Sequence, residues 1–262
     1  MKDLSWFELI IRWAHVLFGI VWIGHLYFFN FVQGGFEAKL DAAVKRAVIP
    51  ELRPRALYWF RWGAAWTWIT GILLAGLVYY MGLKDRWFRE DGDKGMAYLS
   101  VAVMIFVLPF LYDVVASKLG AFSKATIGAG VAIIIVGGAV GYCIGKMEGR
   151  TLLTHMGAMF GTAMAMNVWM RIWPLQRRII TAIKNGEKPE DAWVKAAGGR
   201  SRTNTYLSVP LVFFMISNHY PTVYGESPDL QGKPLIMALV FTAAGFLFAN
   251  LFFRKSTKVV GF

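Results

Sequence analysis

The feature that most constrains this chain is a series of apolar segments, each long enough to cross a lipid bilayer. A helix rises 1.5 Å per residue, so a hydrocarbon core of about 30 Å needs about 20 apolar residues. An unpaired backbone amide in lipid costs several kcal/mol, so each segment must be helical. The sequence therefore predicts an all-α, polytopic membrane helix bundle in which residues 1–262 form one transmembrane domain. The predicted spans are 8–30, 56–82, 97–117, 125–145, 151–173, 204–222 and 234–253.

The distribution of Lys and Arg predicts the orientation of these seven spans. Most of the 28 basic residues lie in the connections after the first, third and fifth spans and in the C-terminal tail. The positive-inside rule places those connections in the cytoplasm, so the N-terminus is outside and the C-terminus inside. The expected location is the inner (cytoplasmic) membrane. The longest connection, 174–203, is predicted to be a cytoplasmic loop with helix-like stretches at 176–184 and 190–197 and a break at Gly198 and Gly199.

Charge and cysteine content exclude several classes of function. The formal net charge is +12, but the basic residues fall between apolar runs and not on one polar face, which argues against nucleic-acid binding. The single cysteine, Cys143, excludes a disulfide within the chain, a Cys-based zinc site and covalent haem attachment. Any metal centre must therefore rest on histidine.

All four histidines lie inside predicted spans, and His15, His155 and His219 are expected in the outer third of the membrane. Neutral imidazole is the usual axial ligand of b-type haem in helix bundles, so two of these three are predicted to bind haem iron. Arg12 lies one turn from His15 and is expected to contact a haem propionate. A helix contact for each histidine and snorkelling for Arg12 are the alternatives. His25 lies about 15 Å deeper, too far for the same iron.

A second group of polar residues is expected at the cytoplasmic ends of the spans. Ionisable groups inside a membrane mark a functional site by default, and arginine donors fit oxyanions bidentately. The sequence therefore predicts a pocket for a planar anion, with an Asp113–Arg61 ion pair as the structural alternative. The residues of this group are Arg61, Asp113, Asn167, Arg171, Arg202, Asn204 and Tyr206.

Three separated motifs carry a family resemblance. The first is Arg12-Trp-Ala-His15 with Trp-Ile-Gly at 22–24, and the second begins at His155 and ends with Trp-Pro-Leu-Gln at 173–176. The third is Arg-Ser-Arg-Thr-Asn-Thr-Tyr at 200–206, followed by Ser-Asn-His-Tyr-Pro at 217–221. Together they resemble the bacterial membrane-bound urate hydroxylases, which are urate oxidases of the cytochrome-linked type.

The resemblance implies oxidation of urate to 5-hydroxyisourate, with electrons passing to a cytochrome c. Relatives of this type usually carry a cytochrome c domain after a further span, whereas this sequence ends at Phe262 without a CxxCH motif. The acceptor is therefore expected to be a separate protein. Thr203 stands where the Ser-Arg-x-Asn motif is expected to hold a histidine. His25 is a second departure from the family pattern, in the first span.

Three hypotheses follow. The first is a haem-b oxidoreductase that binds an anionic purine and relays electrons outward to a cytochrome c. The second is a non-catalytic haem-b electron-transfer or membrane-anchor subunit of a larger respiratory or dehydrogenase complex. The third is a transporter for an anionic metabolite, although no pair of spans broken by Gly or Pro indicates it. Under the first hypothesis the catalytic candidates are Asn167, Arg202 and Asn204, and the substrate-binding candidates are Arg61, Asn167, Arg202, Asn204 and Tyr206.

Overall fold

The protein is described by a computed structural model that covers residues 2–82, 87–220, 223 and 233–259. This part of the chain is all-α, as predicted. Its helices are α1 (Lys2–Tyr27, continued by Phe28–Gln33 and Gly34–Ala38), α2 (Ala42–Ala75, continued by Gly76–Gly82), α3 (Lys94–Ala102, continued by Val103–Val107 and Leu108–Leu119), α4 (Lys124–Ala139, continued by Val140–Ile144), α5 (Gly149–Met166, continued by Asn167–Ile172), α6 (Trp173–Lys184), α7 (Asp191–Ser217) and α8 (Pro234–Ser256).

Short polar side chains fix where three of these helices begin. Asp41 accepts a hydrogen bond from the backbone N–H of Val44 at 2.8 Å and so caps α2. Asp93 caps α3 in the same way, and Ser123 caps α4. Such caps satisfy backbone donors that have no partner within the helix. The connections between the spans therefore end where the sequence supplies a cap.

Five of the described helices are long and apolar enough to cross a membrane: α1, α2, α3, α4 and α8. Large apolar side chains such as Trp13 and Ile20 are exposed on the outside of the bundle, which suits a lipid environment. The other two predicted spans, 151–173 and 204–222, correspond to α5 and α7, whose inward faces are more polar. Residues 221 and 222 lie outside the described residues. The count of seven spans and the orientation stay predictions.

Consecutive long helices run in opposite directions. The ring of Phe18 on α1 stacks on Trp66 of α2 at 5.9 Å, and Phe29 meets Phe60 at 5.3 Å. Gly63 permits this close approach, because a Cβ atom there would lie 3.0 Å from the backbone nitrogen of Trp22. We call the end with the α1–α2, α3–α4 and α6–α7 connections the basic end, and the other end the opposite end.

The predicted loop at 174–203 is mostly helical. Both helix-like stretches are helices, in α6 and α7, but the predicted break at Gly198 and Gly199 is absent because α7 continues through it. A Cβ atom on Gly199 would lie 3.0 Å from the Cβ of Ala121. The glycine therefore lets α7 approach the α3–α4 connection closely and does not end the helix. Only residues 185–190 connect α6 to α7.

Candidate functional site

A buried carboxylate organises the basic end of the bundle. Asp113 on α3 is 2% exposed and forms salt bridges with Arg171 and Arg200. Arg171 binds it through two nitrogens, with Nε 2.9 Å from Oδ1 and Nη2 2.5 Å from Oδ2. Two guanidinium groups on one carboxylate leave the cluster positively charged, so it is matched to a further anion. Asp113 is therefore paired with these two arginines and not with Arg61.

Arg200 is the centre of this network and is 3% exposed. Its guanidinium donates to Asn167 Oδ1 at 2.7 Å, to Ser117 Oγ at 2.8 Å and to the backbone oxygen of Asp113 at 3.0 Å. These bonds join α3, α5 and α7 at one point. A buried charge with this many partners is held in one orientation, so Arg200 is a fixed positive charge within the network.

Two asparagines support Arg200 from behind. Asn167 donates through Nδ2 to Oδ1 of Asn204 at 2.7 Å, and Asn204 donates in turn to the backbone oxygen of Met164 at 3.0 Å. This chain fixes both amide orientations, which leaves Asn167 Oδ1 to accept from Arg200. The structure therefore brings the candidates Asn167 and Asn204 together, as positioning groups for an arginine.

A cavity of about 520 Å³ lies beside this network at the basic end. Three cationic residues line it: Arg171, Lys195 and Arg200. Lys195 is exposed, the Arg171 side chain is 38% exposed and Arg200 is buried, so the donors become less solvated with depth. Electrostatic attraction strengthens as solvent is excluded. The cavity is therefore suited to an anion that enters from the basic end.

Arg61 does not line the cavity beside Arg200. Its guanidinium carbon is 3.9 Å from the centre of the Trp173 ring, and its Nε is buried without a hydrogen-bond partner among the described residues. The backbone oxygen of Arg61 accepts from the indole of Trp169 at 3.0 Å. Cation–π contact therefore holds this arginine among the aromatic rings of α5 and α6.

Arg202 and Tyr206 also lie away from the cavity beside Arg200. Arg202 is exposed, with its guanidinium 4.7 Å from the Phe122 ring and 4.8 Å from the Phe253 ring. The Tyr206 ring stacks on Phe253 at 5.6 Å. Arg200 and Asn204 are four residues apart and share a helix face, whereas Arg202 is two residues from each and points away. That spacing is the sequence signal that identifies Arg200, which the sequence prediction missed.

Thr203, the departure from the family motif, binds backbone groups. Its hydroxyl donates to the carbonyl oxygens of Gly199 at 3.0 Å and Ala121 at 3.3 Å. These bonds fasten α7 to the α3–α4 connection. The side chain is therefore part of the wall between helices and does not line the cavity beside Arg200.

His155 is enclosed at the opposite end and has 0% exposure. Its Nε2 lies 2.8 Å from the hydroxyl of Tyr80, and its Nδ1 lies 2.8 Å from the backbone oxygen of Thr151. The rings of Tyr79 and Trp87 pack against it with centroids at 5.4 Å and 6.3 Å. Both ring nitrogens therefore have protein partners in this arrangement.

His15 lies deeper in the bundle than His155, whereas the sequence predicts that the two share one depth. Its Nδ1 is 2.9 Å from the backbone oxygen of Thr67. The next residue on α2, Trp68, donates from its indole to Thr162 Oγ1 at 3.0 Å. His15 is therefore level with Thr162, seven residues along α5 from His155, which corresponds to about 10 Å of helical rise.

The other candidates for a haem site are also separated. His219 is exposed, just after the end of α7. Arg12 pairs with Glu8 at 2.5 Å, and His25 Nδ1 lies 2.7 Å from the backbone oxygen of Val21. Within the described residues, no group of three or more His, Cys, Asp and Glu side chains is placed to hold a metal ion.

Two histidines can bind one haem iron only if both rings reach the same point in the bundle. His15 and His155 do not, so they do not fit a single iron held by both. Each has Nδ1 next to a backbone carbonyl, the arrangement that directs Nε2 of a histidine toward a metal.

Comparison with known proteins adds one finding. A family model described as urate oxidase N-terminal matches residues 41–260. The matched range includes Asp113, Arg171, Arg200 and their partners on α5 and α7, and it begins after His15. No curated protein and no solved structure is significantly similar to the chain.

Proposed function

This chain belongs to the urate oxidase N-terminal family, and from that premise we propose that it is an inner-membrane oxidoreductase that oxidises urate to 5-hydroxyisourate. The observation that carries the proposal is the cationic cavity at the basic end. Urate is a planar anion with ring carbonyl oxygens and N–H groups. A fixed guanidinium meets such an edge with two parallel hydrogen bonds, which gives both affinity and orientation.

Each residue of the network has a distinct role in this proposal. Arg171, which keeps donors that Asp113 does not use, binds the purine anion, Arg200 supplies a buried positive charge beside it, and Lys195 at the mouth of the cavity attracts the anion from the aqueous phase. Asp113 holds the two arginines in position and, because both pair with it, does not act as the free base. Asn167 is a positioning residue that acts through Arg200.

The reaction removes two electrons and two protons from urate, and the oxygen atom of water forms a bond to C5 of the purine. When a proton leaves ahead of the electrons, the ring becomes a dianion, and the loss of the electrons then lowers its negative charge again. Cationic donors in a site with little water stabilise that charge without having to reorganise. The buried charge of Arg200 therefore supports a role in stabilising the deprotonated purine before its electrons leave.

The haem b and the separate cytochrome c implied by the resemblance stay predictions. The Nδ1–carbonyl contacts of His15 and His155 favour either as a single ligand. Their different depths disfavour one iron held by both.

The test is anaerobic urate oxidation by the purified full chain, with ferricyanide as an artificial electron acceptor. We expect turnover by the wild type and at least about a tenfold lower kcat/KM for Arg171→Gln, since about 1.4 kcal/mol of lost binding corresponds to a factor of ten. Arg177→Gln is the matched control, because Arg177 is exposed and lies outside the cavity. A wild type without urate turnover, or equal rates for the two variants, would contradict the proposal.

A further inference from the structure

A second cavity lies next to the cationic one and differs from it in character. It has a volume of about 290 Å³ and is bounded by α3, α4, α5, α7 and α8. Its lining residues are mostly apolar and include Leu108, Ile134 and Phe160. Ala121 and Phe122 line both cavities, so the two share one wall. An apolar lining favours a hydrocarbon group over a charged one, because a charge loses its hydration there.

The apolar cavity is elongated and is open on the side of α4. Its lining residues on α4 extend from Thr126 to Ile134, which corresponds to about 12 Å of helical rise. Ile127 and Val131 line the cavity and are 46% and 43% exposed, so this side is not sealed from the bilayer. The shape therefore suits part of an acyl chain that enters sideways from lipid.

Gly130 on α4 keeps part of this space free. It lines the cavity, and a Cβ atom there would meet no group of another helix within 4 Å. A glycine inside a helix is less stable than an alanine, and here no close approach of a neighbouring helix requires it. The position therefore leaves room for a ligand without serving helix packing.

Arg202 lies where the apolar cavity meets the basic end. Its guanidinium carbon is 4.7 Å from the ring of Phe122, which lines the cavity, and 4.8 Å from the ring of Phe253. Tyr206, one turn further along α7, also lines the cavity and stacks on Phe253 at 5.6 Å. Arg202 is exposed and forms no ion pair with a described residue. Two aromatic rings therefore hold a cation at the rim of the cavity without a counter-ion from the described protein.

The helices around the cavity carry little negative charge. The five that bound it contain two acidic residues, Asp113 and Asp191. Asp113 is already bound by two arginines, and Asp191 lies 3.4 Å from Lys188. Four exposed basic residues flank the two aromatic rings in the sequence: Lys118, Lys124, Arg254 and Lys255. The rim of the cavity is therefore positively charged and complementary to an anion.

We propose that the apolar cavity binds an acyl chain of an anionic phospholipid from the leaflet at the basic end, with the Arg202 guanidinium donating to the lipid phosphate. The two parts of the site match the two parts of this lipid, a cation at the rim and an apolar cavity that extends inward along α4. Arginine donors fit phosphate oxygens bidentately, and basic pockets between membrane helices suit anionic headgroups. A zwitterionic headgroup brings its own cation to the positive rim and binds more weakly. The proposal does not depend on urate oxidation.

The experiment measures lipid binding to the purified full chain in detergent by native mass spectrometry. The ligands are dioleoylphosphatidylglycerol, dioleoylphosphatidylcholine and glycerol phosphate. They separate an anionic lipid from a zwitterionic lipid with the same chains and from a phosphate headgroup without chains. We expect one saturable site for phosphatidylglycerol, with binding at least about tenfold tighter than for the other two ligands.

The first pair of variants tests the cation. Arg202→Gln is expected to weaken phosphatidylglycerol binding about fivefold, because it removes the donor to the phosphate. Arg178→Gln is the matched control, since Arg178 is also exposed and held by a ring, 5.6 Å from Trp193, but does not adjoin the apolar cavity. Equal weakening by the two variants would indicate general attraction to the basic end and overturn the proposal.

The second pair of variants tests the cavity. Gly130→Leu fills the space on the cavity side and is expected to abolish the saturable site. Gly128→Leu is the matched control, because a Cβ atom there also meets nothing within 4 Å but the residue does not line the cavity. Both variants place a stronger helix former in α4, so thermal unfolding should show that the fold is retained. Unchanged binding in Gly130→Leu would overturn the proposal, as would phosphatidylcholine or glycerol phosphate binding as tightly as phosphatidylglycerol.

Discussion

The two ends of the bundle both bury polar side chains, but they use them differently. At the basic end, Asp113 is shared by Arg171 and Arg200 beside an open cavity. At the opposite end, both ring nitrogens of His155 are bonded to protein groups, one of them the Tyr80 hydroxyl. The first cluster has two guanidinium groups on one carboxylate and so keeps a net positive charge, whereas the second holds an imidazole with both nitrogens bonded to protein groups. An uncompensated charge next to a cavity favours a ligand site over a structural contact.

The polar groups around His155 also hold helices together. Asn218 Oδ1, at the end of α7, accepts from the Tyr79 hydroxyl at 2.9 Å, from Thr154 Oγ1 at 3.0 Å and from Arg150 Nε at 3.1 Å. These bonds link α2, α5 and α7 near the opposite end. The basic end is therefore the better candidate for the substrate site, whereas the groups around Asn218 fix the register of α2, α5 and α7.

The largest effect is expected at Arg200. Replacing it with Met leaves Asn167 and Ser117 without their donor and Asp113 with one arginine. Removing one partner of a buried ion pair costs about 3–5 kcal/mol, so we expect a large fall in thermal stability and loss of urate oxidation. Arg200→Lys keeps the charge and is expected to recover stability better than kcat, since it lacks the planar donor pair. Full activity in Arg200→Lys would show that fixed guanidinium geometry does not matter.

The next largest effect is expected at His155, where replacement tests whether the hydrogen bonds of its ring stabilise the fold. His155→Phe removes the bonds to Tyr80 and Thr151, and leaving buried groups unpaired costs about 1–3 kcal/mol of stability. Thermal unfolding of the purified variant measures this loss. The visible spectrum tests the haem prediction, because b-type absorbance in the wild type is expected to collapse when the ligand, His15 or His155, is replaced. An unchanged haem spectrum in both variants would exclude these two histidines as ligands.

The smallest effect is expected at Asp91, an exposed carboxylate at the opposite end. It lies 3.1 Å from Lys146 Nζ and 3.5 Å from Arg89 Nε. The hydrogen bond from Lys146 lowers the pKa of Asp91 below its ordinary value of 3.8. A carboxylate whose pKa is lower in the folded state than in the unfolded state stabilises the fold at pH values above the unfolded-state pKa. This stability is lost as the pH falls through the folded-state pKa.

Asp91→Asn is therefore expected to lower the unfolding temperature slightly at neutral pH, and the difference should shrink as the pH falls below 3.8. Solvent screens exposed ion pairs, so the effect should be far smaller than the effect of replacing Arg200. Glu90→Gln, which changes the adjacent exposed carboxylate, is the control. If the difference in unfolding temperature between Asp91→Asn and the wild type stays constant as the pH falls, this account is contradicted.

Part of the candidate site could be predicted from the sequence. The basic end was expected to hold a polar group that includes Asp113, Asn167, Arg171 and Asn204, and the structure brings these four together. The partners within the group could not be predicted, because Arg171 and Arg200 are 58 and 87 residues from Asp113 along the chain. Pairing at that separation depends on which helix faces meet.

By itself, the sequence determined the all-α fold, the apolar helices and the family, because run length and motifs are local properties of the chain. The tertiary structure decided that Arg200 and not Arg202 enters the network, that His15 lies deeper than His155, and that α7 continues through Gly198 and Gly199. It also decided that two cavities of opposite character share one wall. Helix periodicity states which residues share a face, but only packing against neighbouring helices decides where that face points.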